Sequence, residues 1–485
     1  LFNPLPQARD GWHLASVFLK GPRHPTLRAT TPAGQPWDCQ VIDTQRAEEL
    51  VSPLDDFPER LEGHRYEVAL RGALPGLGAQ ALHLEPVEGT HADEDRAADP
   101  CTSPPSAGDP GPIVLENAAW RVTLAQGGHV VLSDRLQGLT VEGAFGVISE
   151  LDAGDAYNWS PPPVPRLTRS TGWTLQSSRV CGPVQEMCLA LELALPAGLD
   201  DARQGANPRT VISRGVLTLR LVGDDPLLTA RLHWHNAARD QRTRLVFPGL
   251  PTDLAATWSD TAFAWTERPV RLRCVPQTMS RQEMPVAVLP SLSAVVAGPW
   301  AAVHRALHEH EILAPGLATD GPSHALAFTL VRSVGWMSRR DLLSRGVGAG
   351  PDLATPGAQC LGDDVVDLGL VAHPATGATH EVLAHAQRWR RPVLRLRGWS
   401  DRWAPPVEVG NHAVCTSSVR RLTDGTLELR LWNPTGQPQP LGLAAPTWQA
   451  VRADGSPLDA LAPGSPWVLP PFGLLTLRAA PESLA

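Results

Sequence analysis

The chain has little lysine, only two tyrosines and no long apolar run, and these shortages exclude several classes of protein. The formal net charge is −8 and no long basic run occurs, so nucleic acids and anionic membranes are not expected as partners. No apolar stretch approaches the ~20 residues of a membrane-spanning helix. The seven cysteines are scattered singly without a Cys-x-x-Cys pair, which favours a reducing compartment and no disulfide framework. We therefore expect a cytoplasmic protein.

Short alternating apolar segments separated by Gly and Pro turn signals run along most of the chain. Residues 211–222 carry apolar side chains at 217, 219 and 221, and residues 227–235 return as a second strand after a turn. Further strands are predicted at 120–124, 130–134, 326–332, 427–432 and 474–477. The pattern predicts an all-β sandwich architecture. The few predicted helices are 46–50, 341–345 and 380–390.

Composition divides the chain into units. We predict a small β domain over residues 1–90, an acidic and then Pro/Ser-rich linker over 91–112, a large β unit over 113–380 and a small β-sandwich over 391–485. The N-terminal residues LFNPLP lack the charged start and apolar core of a signal peptide. An initiator methionine is also missing, so we expect a fragment or a processed product.

One segment, residues 152–162 (DAGDAYNWSPP), concentrates rare residues. Asp, Gly, Asn and Pro disfavour regular structure, so the segment is predicted to be a loop. Its Tyr157 and Trp159 lie beside Asp152 and Asp155, a combination that suits a polar ring-shaped ligand such as a sugar. The alternative is an Asx-type turn around a buried Tyr and Trp.

Two groups of charged residues flank predicted strands. Arg332 ends a strand and is placed to donate to hydroxyls or to a carboxylate, the alternative being a structural ion pair, for instance with Asp341. The charged run 239–244 is predicted to form the rim of a hairpin.

Two histidine pairs alternate along strands. His233 and His235 share one face, which suits zinc, but no third ligand is evident and ordinary polar strand positions are favoured. His308 and His310 belong to HEHE, which is not the helical HExxH motif, and a structural role is expected.

Seven segments, taken in order, resemble the C-terminal half of glycoside hydrolase family 38 α-mannosidases. They are 1–6 (LFNPLP), 154–161 (GDAYNWSP), 234–248 (WHNAARDQRTRLVFP), 303–311 (VHRALHEHE), 332–336 (RSVGW), 355–359 (TPGAQ) and 469–473 (LPPFG). The resemblance implies a large antiparallel β-supersandwich of the galactose-mutarotase-like type, flanked by smaller β-sandwich domains. It also implies an α-mannoside as substrate and, as partners, a catalytic α/β barrel and a helical domain of the same enzyme.

Enzymes of this family are retaining exo-α-mannosidases that hold one zinc, and their nucleophile and zinc ligands lie in the barrel and helical parts. This chain has no segment that resembles those parts, so no catalytic residue and no metal ligand are expected in it. The resemblance implies sugar contacts at Tyr157 and Arg332, with Arg339 or Arg345 as alternatives to Arg332. Asp155 and Trp159 complete the predicted substrate-binding set.

Two residues of this set have expected roles other than a direct sugar contact. Asp155 is expected to shape the loop together with Asp152, and Trp159 to form a wall of the site. The chain departs from the family pattern where His310 replaces an aromatic residue and Gln241 replaces a common histidine.

A second hypothesis is a stand-alone carbohydrate-binding or interaction module, based on the loop aromatics. Calorimetric titration with mannose and mannobiose separates the two hypotheses. Micromolar binding by this chain favours the module, whereas no binding favours an incomplete active site.

Overall fold

The computed structural model describes residues 1–52, 57–87, 113–270, 287–372, 379–396, 407–443, 447–458 and 467–480. The predicted linker, 91–112, lies outside the described residues, as do Cys101 and Cys274. The domain boundaries that depend on it stay a prediction.

The N-terminal strands form a five-stranded antiparallel sheet in the order β1-β4-β3-β2-β5. They are β1 Trp12–Lys20, β2 Leu27–Thr30, β3 Pro36–Val51, β4 Glu59–Arg71 and β5 His83–Pro86. The segment 46–50, predicted to be a helix, is the end of β3, where it pairs residue by residue with β4. The helix prediction is therefore wrong there, because cross-strand pairing outweighs the local helix propensity of the Ala and Glu residues.

Three sheets form the large central unit. The first is four-stranded: β6 Val114–Glu116, β7 Trp120–Leu124, β8 Val130–Asp134 and β9 Leu139–Ala144. The strands that follow are β10 Gly146–Leu151, β11 Leu167–Arg169, β12 Thr174–Cys181, β13 Val184–Pro196, β14 Thr210–Val222, β15 Leu227–Asn236, β16 Gln241–Leu250, β17 Ala256–Thr261, β18 Ala264–Pro269, β19 Leu289–Pro290, β20 Ala294–Ala297, β21 Trp300–His304, β22 Glu309–Leu313, β23 His324–Arg332 and β24 Gly362–Val371. They form a nine-stranded sheet, β12-β13-β14-β15-β24-β21-β20-β17-β18, and a six-stranded sheet, β11-β10-β16-β23-β22-β19.

One apolar core joins these three sheets. Leu217 of β14 is fully buried together with Trp120 of β7, and Phe247 and Phe328 come from the six-stranded sheet. The Phe247 ring packs edge-on against Phe145 at 5.0 Å and against Phe328 at 6.2 Å between centroids. Side chains of the nine-stranded sheet thus meet those of the two smaller sheets, and the predicted all-β sandwich is confirmed.

The C-terminal strands are β25 Cys415–Arg421, β26 Leu427–Trp432, β27 Gln439–Pro440, β28 Gln449–Val451, β29 Val468–Leu469 and β30 Leu474–Ala479. They form a four-stranded and a two-stranded sheet around a separate core. Short 3₁₀ helices cover Pro356–Gln359 and Thr379–Glu381, and the second runs into α1, Val382–Arg390. The predicted helix 380–390 is confirmed, and it buries Val382, Leu383 and Ala386 in a core shared with β20 and β21.

The helix predicted at 341–345 is wrong. Residues 343 and 344 form a bend and the rest of the segment has no regular structure, because Asp341 is held by the Arg339 side chain and the Leu343 amide donates to Ser160 Oγ (3.0 Å). All the strands predicted at the sequence level lie within strands of the structure.

Cys181, at the end of β12, is fully buried and disulfide-bonded, and its partner lies outside the described residues. The expectation of a chain without disulfides is wrong at this position, since isolated cysteines can still meet in space. Among the described residues, none of the helices combines the length and the apolar character that crossing a bilayer requires.

Candidate functional site

The candidate site lies where two loops meet beside the six-stranded sheet. Residues 152–162 follow β10 directly, and residues 333–361 connect β23 to β24. β10 and β23 flank β16 in the sheet, and both are antiparallel to it. The two strands therefore end on the same side, and both loops leave the sheet there. The amide of Ala156 donates to the carbonyl of Trp336 (3.0 Å), which joins the loops.

Asp152 is fully buried and organises the first half of its loop. Its Oδ1 accepts from the amides of Gly154 (2.8 Å) and Ser160 (3.3 Å), while its Oδ2 accepts from Arg332 Nε (2.7 Å). Burial raises the pKa of Asp152 above its usual value, and Arg332 offsets only part of that shift. Arg332 is thus in an ion pair, but with Asp152; Asp341, the partner suggested by the sequence, is bound to Arg339 instead.

Asp155 is also fully buried and organises the second half of the loop. Its Oδ1 accepts from the amides of Tyr157 (3.0 Å) and Asn158 (2.9 Å), and its Oδ2 accepts from the amide of Arg339 (2.8 Å) and from the Arg345 side chain. Burial opposes ionisation here, but these hydrogen bonds outweigh it and hold the pKa of Asp155 below its usual value. The carboxylate is buried and bonded on both oxygens, so it fixes the shape of the loop.

Tyr157 is held at the surface by residues of the facing loop. Arg345 is buried, binds Asp155 and Asn158, and lies 5.9 Å from the centre of the Tyr157 ring. The ring leaves so little space that a Cβ added at Gly350 would lie 3.1 Å from its hydroxyl. Tyr157 nevertheless stays 53% exposed, and its hydroxyl has no partner among the described residues.

A cavity of about 800 Å³ extends from this loop across the six-stranded sheet. Tyr157, Trp159 and Arg332 all line it, whereas Asp155 does not. Arg332 uses Nε for Asp152 and Nη2 for the carbonyl of Asp155 (2.7 Å), so its Nη1 carries donors that meet no acceptor in the described part of the chain. The structure therefore brings three of the four predicted site residues to one surface. Arg339 and Arg345, the alternatives to Arg332, do not line the cavity.

Six further charged residues line the cavity, among them Arg166 and Glu309. The other four contact one another, and we call them the four-charge cluster: Glu150, Arg242, Arg244 and Glu311. Glu150 Oε1 accepts from Arg242 Nη2 (2.6 Å) and contacts Arg244 Nη2 (2.9 Å). Glu311 Oε1 accepts from Arg244 Nη1 and lies 3.3 Å from Arg242 Nη2. Burial alone would lower the pKa of Arg242, but Glu311 and Glu150 outweigh it and raise that pKa.

The cluster corrects the sequence prediction for residues 239–244. Arg242 and Arg244 were expected on an exposed hairpin rim, but both are buried in β16, which lies inside the sheet. Arg242 and Arg244 are two positions apart in a strand, so the sequence alone indicates that their side chains lie on the same face of the sheet. Their partners come from β10 and β22, and a single sequence does not reveal that pairing. The Arg242 guanidinium also stacks on Trp159, with Cζ 4.6 Å from the centre of the ring. This contact holds in place the ring that we predicted to form a wall of the site.

The two histidine pairs lie elsewhere. His233 and His235 are exposed on β15, and His235 Nδ1 is 2.8 Å from Asp363 Oδ1. His310 is buried against Phe328, while His308 precedes β22 and is exposed. Within the described ranges, no three His, Cys, Asp or Glu side chains come together as a metal site would require.

A nearly all-β sandwich protein with a cavity beside two surface loops is the class that the fold and the site define. Solved structures share this fold, among them two from Enterococcus faecalis. An α-mannosidase from Enterococcus faecalis V583 superposes with a TM-score of 0.77 at 18% identity, covering 99% of this chain and 55% of that chain. A glycosyl hydrolase family 38 protein from Enterococcus faecalis superposes with a TM-score of 0.73 at 17% identity, covering 98% of this chain and 57% of that one.

The likeness defines the fold of this chain as that of a part of these larger proteins. The chain spans a little over half the length of the solved structures it matches. No protein-family model matches the chain, and no curated protein matches it.

Proposed function

We propose that this chain is the β-rich C-terminal portion of a retaining, zinc-dependent exo-α-mannosidase that hydrolyses terminal α-mannosides. The observation that carries the proposal is the fold match, which includes 99% of this chain and only 55% of an α-mannosidase. The order of the resembling segments in the sequence supports it independently. On this proposal the chain supplies sugar contacts, and other parts of the enzyme supply the nucleophile and the metal.

The carboxylates of the candidate site support this division of roles. Retaining hydrolysis needs two carboxyl groups ~5–5.5 Å apart, one as nucleophile and one as acid and base. Asp152 and Asp155 are fully buried and bound to Arg332 and Arg345. Each already accepts several hydrogen bonds from its own loop, so neither is available to attack an anomeric carbon.

The contacts proposed for the sugar follow from the free donors. Tyr157 and Arg332 line the cavity, and the Tyr157 hydroxyl and Arg332 Nη1 can donate to sugar hydroxyls. Trp159 offers a flat apolar surface against which a pyranose ring packs. We propose Asp155 as the residue that positions Tyr157, since it holds the amides of Tyr157 and Asn158.

Zinc enters the proposal only through the family. The described residues do not offer the three-ligand cluster that would fit it, so we derive no step through the metal in this chain.

The proposal predicts that this chain alone does not hydrolyse aryl α-mannosides, with or without added zinc. The physical reason is that no nucleophile is available at its site. Release of nitrophenol from nitrophenyl α-mannoside measures this, and the matched sample is a longer product of the same gene that includes the sequence upstream of Leu1. Zinc-dependent turnover by the 485-residue chain would contradict the proposal.

A simpler observation tests the same proposal. The sequence upstream of Leu1 is expected to encode an α/β barrel with a His-x-Asp zinc pair. If no such barrel is encoded upstream or as a separate chain, the stand-alone module becomes the better hypothesis.

A further inference from the structure

A second cavity, of about 840 Å³, lies on the face of the nine-stranded sheet that is turned away from the core, and we call it the outer groove. Leu219 of β14 is in the core, whereas Thr218 and Arg220 on either side of it line the groove. β1 borders the groove through Trp12, and α1 borders it through Trp389. The outer groove shares no lining residue with the candidate site, so the proposed sugar contacts leave it unused.

Two arginines and two threonines lie together on the floor of the outer groove. Thr218 of β14 pairs with Arg231 of β15, and Arg220 of β14 pairs with Thr229 of β15. Directly paired side chains have Cβ atoms about 4.5–5.5 Å apart, and diagonal neighbours are about 7–8 Å apart. The two guanidinium groups therefore start from diagonal corners of a small square, and none of the four corners holds a carboxylate. We call these four residues the Arg–Thr square.

Glu186 lies beside the square and is shared by two arginines. Its Oε1 accepts from Arg220 Nε (2.7 Å), and its Oε2 accepts from Arg179. The Glu186 side chain is 9% exposed, whereas those of Arg179 and Arg220 are 39% and 40% exposed. One carboxylate between two guanidinium groups leaves a positive charge over, and a ligand that approaches from solvent meets the arginines first.

Asp367 is shared by two arginines in a looser way. It lies 3.8 Å from Arg231 Nε and 3.7 Å from Arg305 Nη1, and both distances are too long for a hydrogen bond. The third carboxylate of the groove, Asp225, accepts from the amide of Leu227 (3.0 Å). Among the described residues, four arginines thus line the groove beside three carboxylates, a local positive excess in a chain of formal net charge −8.

The Arg–Thr square has donors that match a phosphate group. A phosphate monoester carries a charge of about −1.5 to −2 at pH 7 and three acceptor oxygens, and guanidinium groups bind it through paired hydrogen bonds. The N–H groups of Arg231, Nη1 of Arg220 and the Thr218 hydroxyl meet no acceptor in the described part of the chain. Thr229 is different, because its hydroxyl donates to the carbonyl of Arg220 (3.2 Å).

The walls of the groove favour an organic ring beside the phosphate. On the α1 side, Trp389 is covered by Arg305, whose Cζ lies 4.8 Å from the centre of the ring. On the β1 side, Trp12 and Leu14 line the groove, and Leu14 is 40% exposed. A volume of about 840 Å³ is within the ~300–1,000 Å³ of ligand pockets, so a ring fits as well as a phosphate.

From these observations we infer that the outer groove binds a small phosphate monoester. Its phosphate lies on the Arg–Thr square, and its organic ring packs against Trp12 and Leu14. The inference does not depend on the proposed function, because none of the groove residues is a proposed sugar contact.

Calorimetric titration of the 485-residue chain with AMP, adenosine and inorganic phosphate at neutral pH tests the inference. AMP is expected to bind about tenfold more tightly than adenosine, which lacks the phosphate, or inorganic phosphate, which lacks the ring. Inorganic phosphate should displace AMP, and added salt should weaken AMP binding, because the arginines are partly exposed. No binding of AMP, or binding no tighter than that of adenosine, would overturn the inference.

Variants of the square locate the binding. Arg231→Gln removes an exposed positive charge without breaking a hydrogen bond of the described structure, and it should weaken AMP binding about tenfold. Thr218→Val removes the hydroxyl and keeps the shape, and it should weaken AMP binding by a smaller factor, about threefold.

Arg214→Gln is the matched control. Arg214 lies on the same strand and the same face as Thr218, but it pairs with Glu192 outside the groove. AMP binding should be unchanged in this variant, and thermal unfolding without ligand verifies that each variant is folded. Equal weakening by Arg214→Gln and Arg231→Gln would show a general effect of charge and would contradict the site.

Discussion

In the loop of residues 152–162, the Tyr157 loop, Gly154 occupies a position that a side chain does not fit. A Cβ there would lie 2.1 Å from the carbonyl oxygen of Asn158 and 2.7 Å from both Arg332 Nη2 and Asp152 Oδ1. The backbone itself is in the way, so the loop has to move if the residue changes. The conformation of the loop therefore depends on a residue that has no side chain.

Gly154→Ala is expected to lower the free energy of unfolding by about 1–3 kcal/mol, the range for overpacking. Gly346→Ala is the control, because a Cβ there meets nothing within 4 Å. Urea unfolding of both variants measures the difference. Equal stabilities would show that the loop adapts without cost.

Arg332 combines a structural role and a proposed ligand contact. Arg332→Met would leave the Asp152 carboxylate buried without its charged partner, a change that costs about 3–5 kcal/mol. Arg340→Met is the control, since Arg340 and Asp352 form an exposed pair with 75% and 48% side-chain exposure, and such pairs contribute less than ~1 kcal/mol.

The pH dependence of that loss has a definite sign. Without Arg332 the pKa of Asp152 rises further above its unfolded value, so the folded variant takes up a proton more readily than the unfolded chain. The stability deficit should therefore be smaller at pH 5 than at pH 7 in urea unfolding. A deficit independent of pH would contradict the role of the buried carboxylate.

At the scale of elements, β21 and β22 each bury a histidine. Burial, with His308 and His310 nearby, lowers the pKa of His304 to about 3, and burial with Arg268 lowers that of His310 to about 4. His304 Nε2 is 2.8 Å from Ser291 Oγ, whereas neither ring nitrogen of His310 has a partner among the described residues. Both rings are therefore neutral in the folded state at neutral pH.

This burial predicts acid sensitivity. Below pH 6.5 the unfolded chain binds protons at these histidines and the folded chain does not, so stability falls as the pH drops towards 4. Each histidine contributes about 1.4 kcal/mol per pH unit. His310→Phe should reduce the slope by about one proton, while His233→Phe, at an exposed position, should not.

Unfolding midpoints of these variants between pH 7 and pH 4.5 measure the slopes. Parallel curves for His310→Phe and the unchanged chain would show that His310 is protonated in the fold.

At the scale of the whole molecule, sheets from distant parts of the chain create the site. The loop after β10 meets the loop after β23, although Asp152 and Arg332 are separated by 180 positions. Cys181 shows the same effect, because its disulfide joins cysteines that the sequence presents singly. That bond removes the main basis for a cytoplasmic location, which stays a prediction.

Local signals were sufficient for much of the architecture. Alternation of apolar residues determined strands such as β14 and β15, and the Asp, Gly, Asn and Pro content of residues 152–162 determined a loop. The helix prediction for residues 46–50 is wrong because these residues, despite their helical propensity, pair with β4 as part of β3. The helix prediction for residues 341–345 is wrong for a similar reason, since Leu343 bonds to Ser160, far away in the sequence, in the Tyr157 loop.

The sequence by itself determined the class of fold, the loop that carries Tyr157 and Trp159, and Arg332 at the end of a strand. Only the tertiary structure decided that Asp152 is the partner of Arg332 and that Arg242 and Arg244 are buried beside Glu150 and Glu311. The alternation of apolar and polar residues involves only neighbours in the chain, so it can be read from the sequence. Ion pairs between strands depend on sheet order and register, which arise only when the whole chain packs.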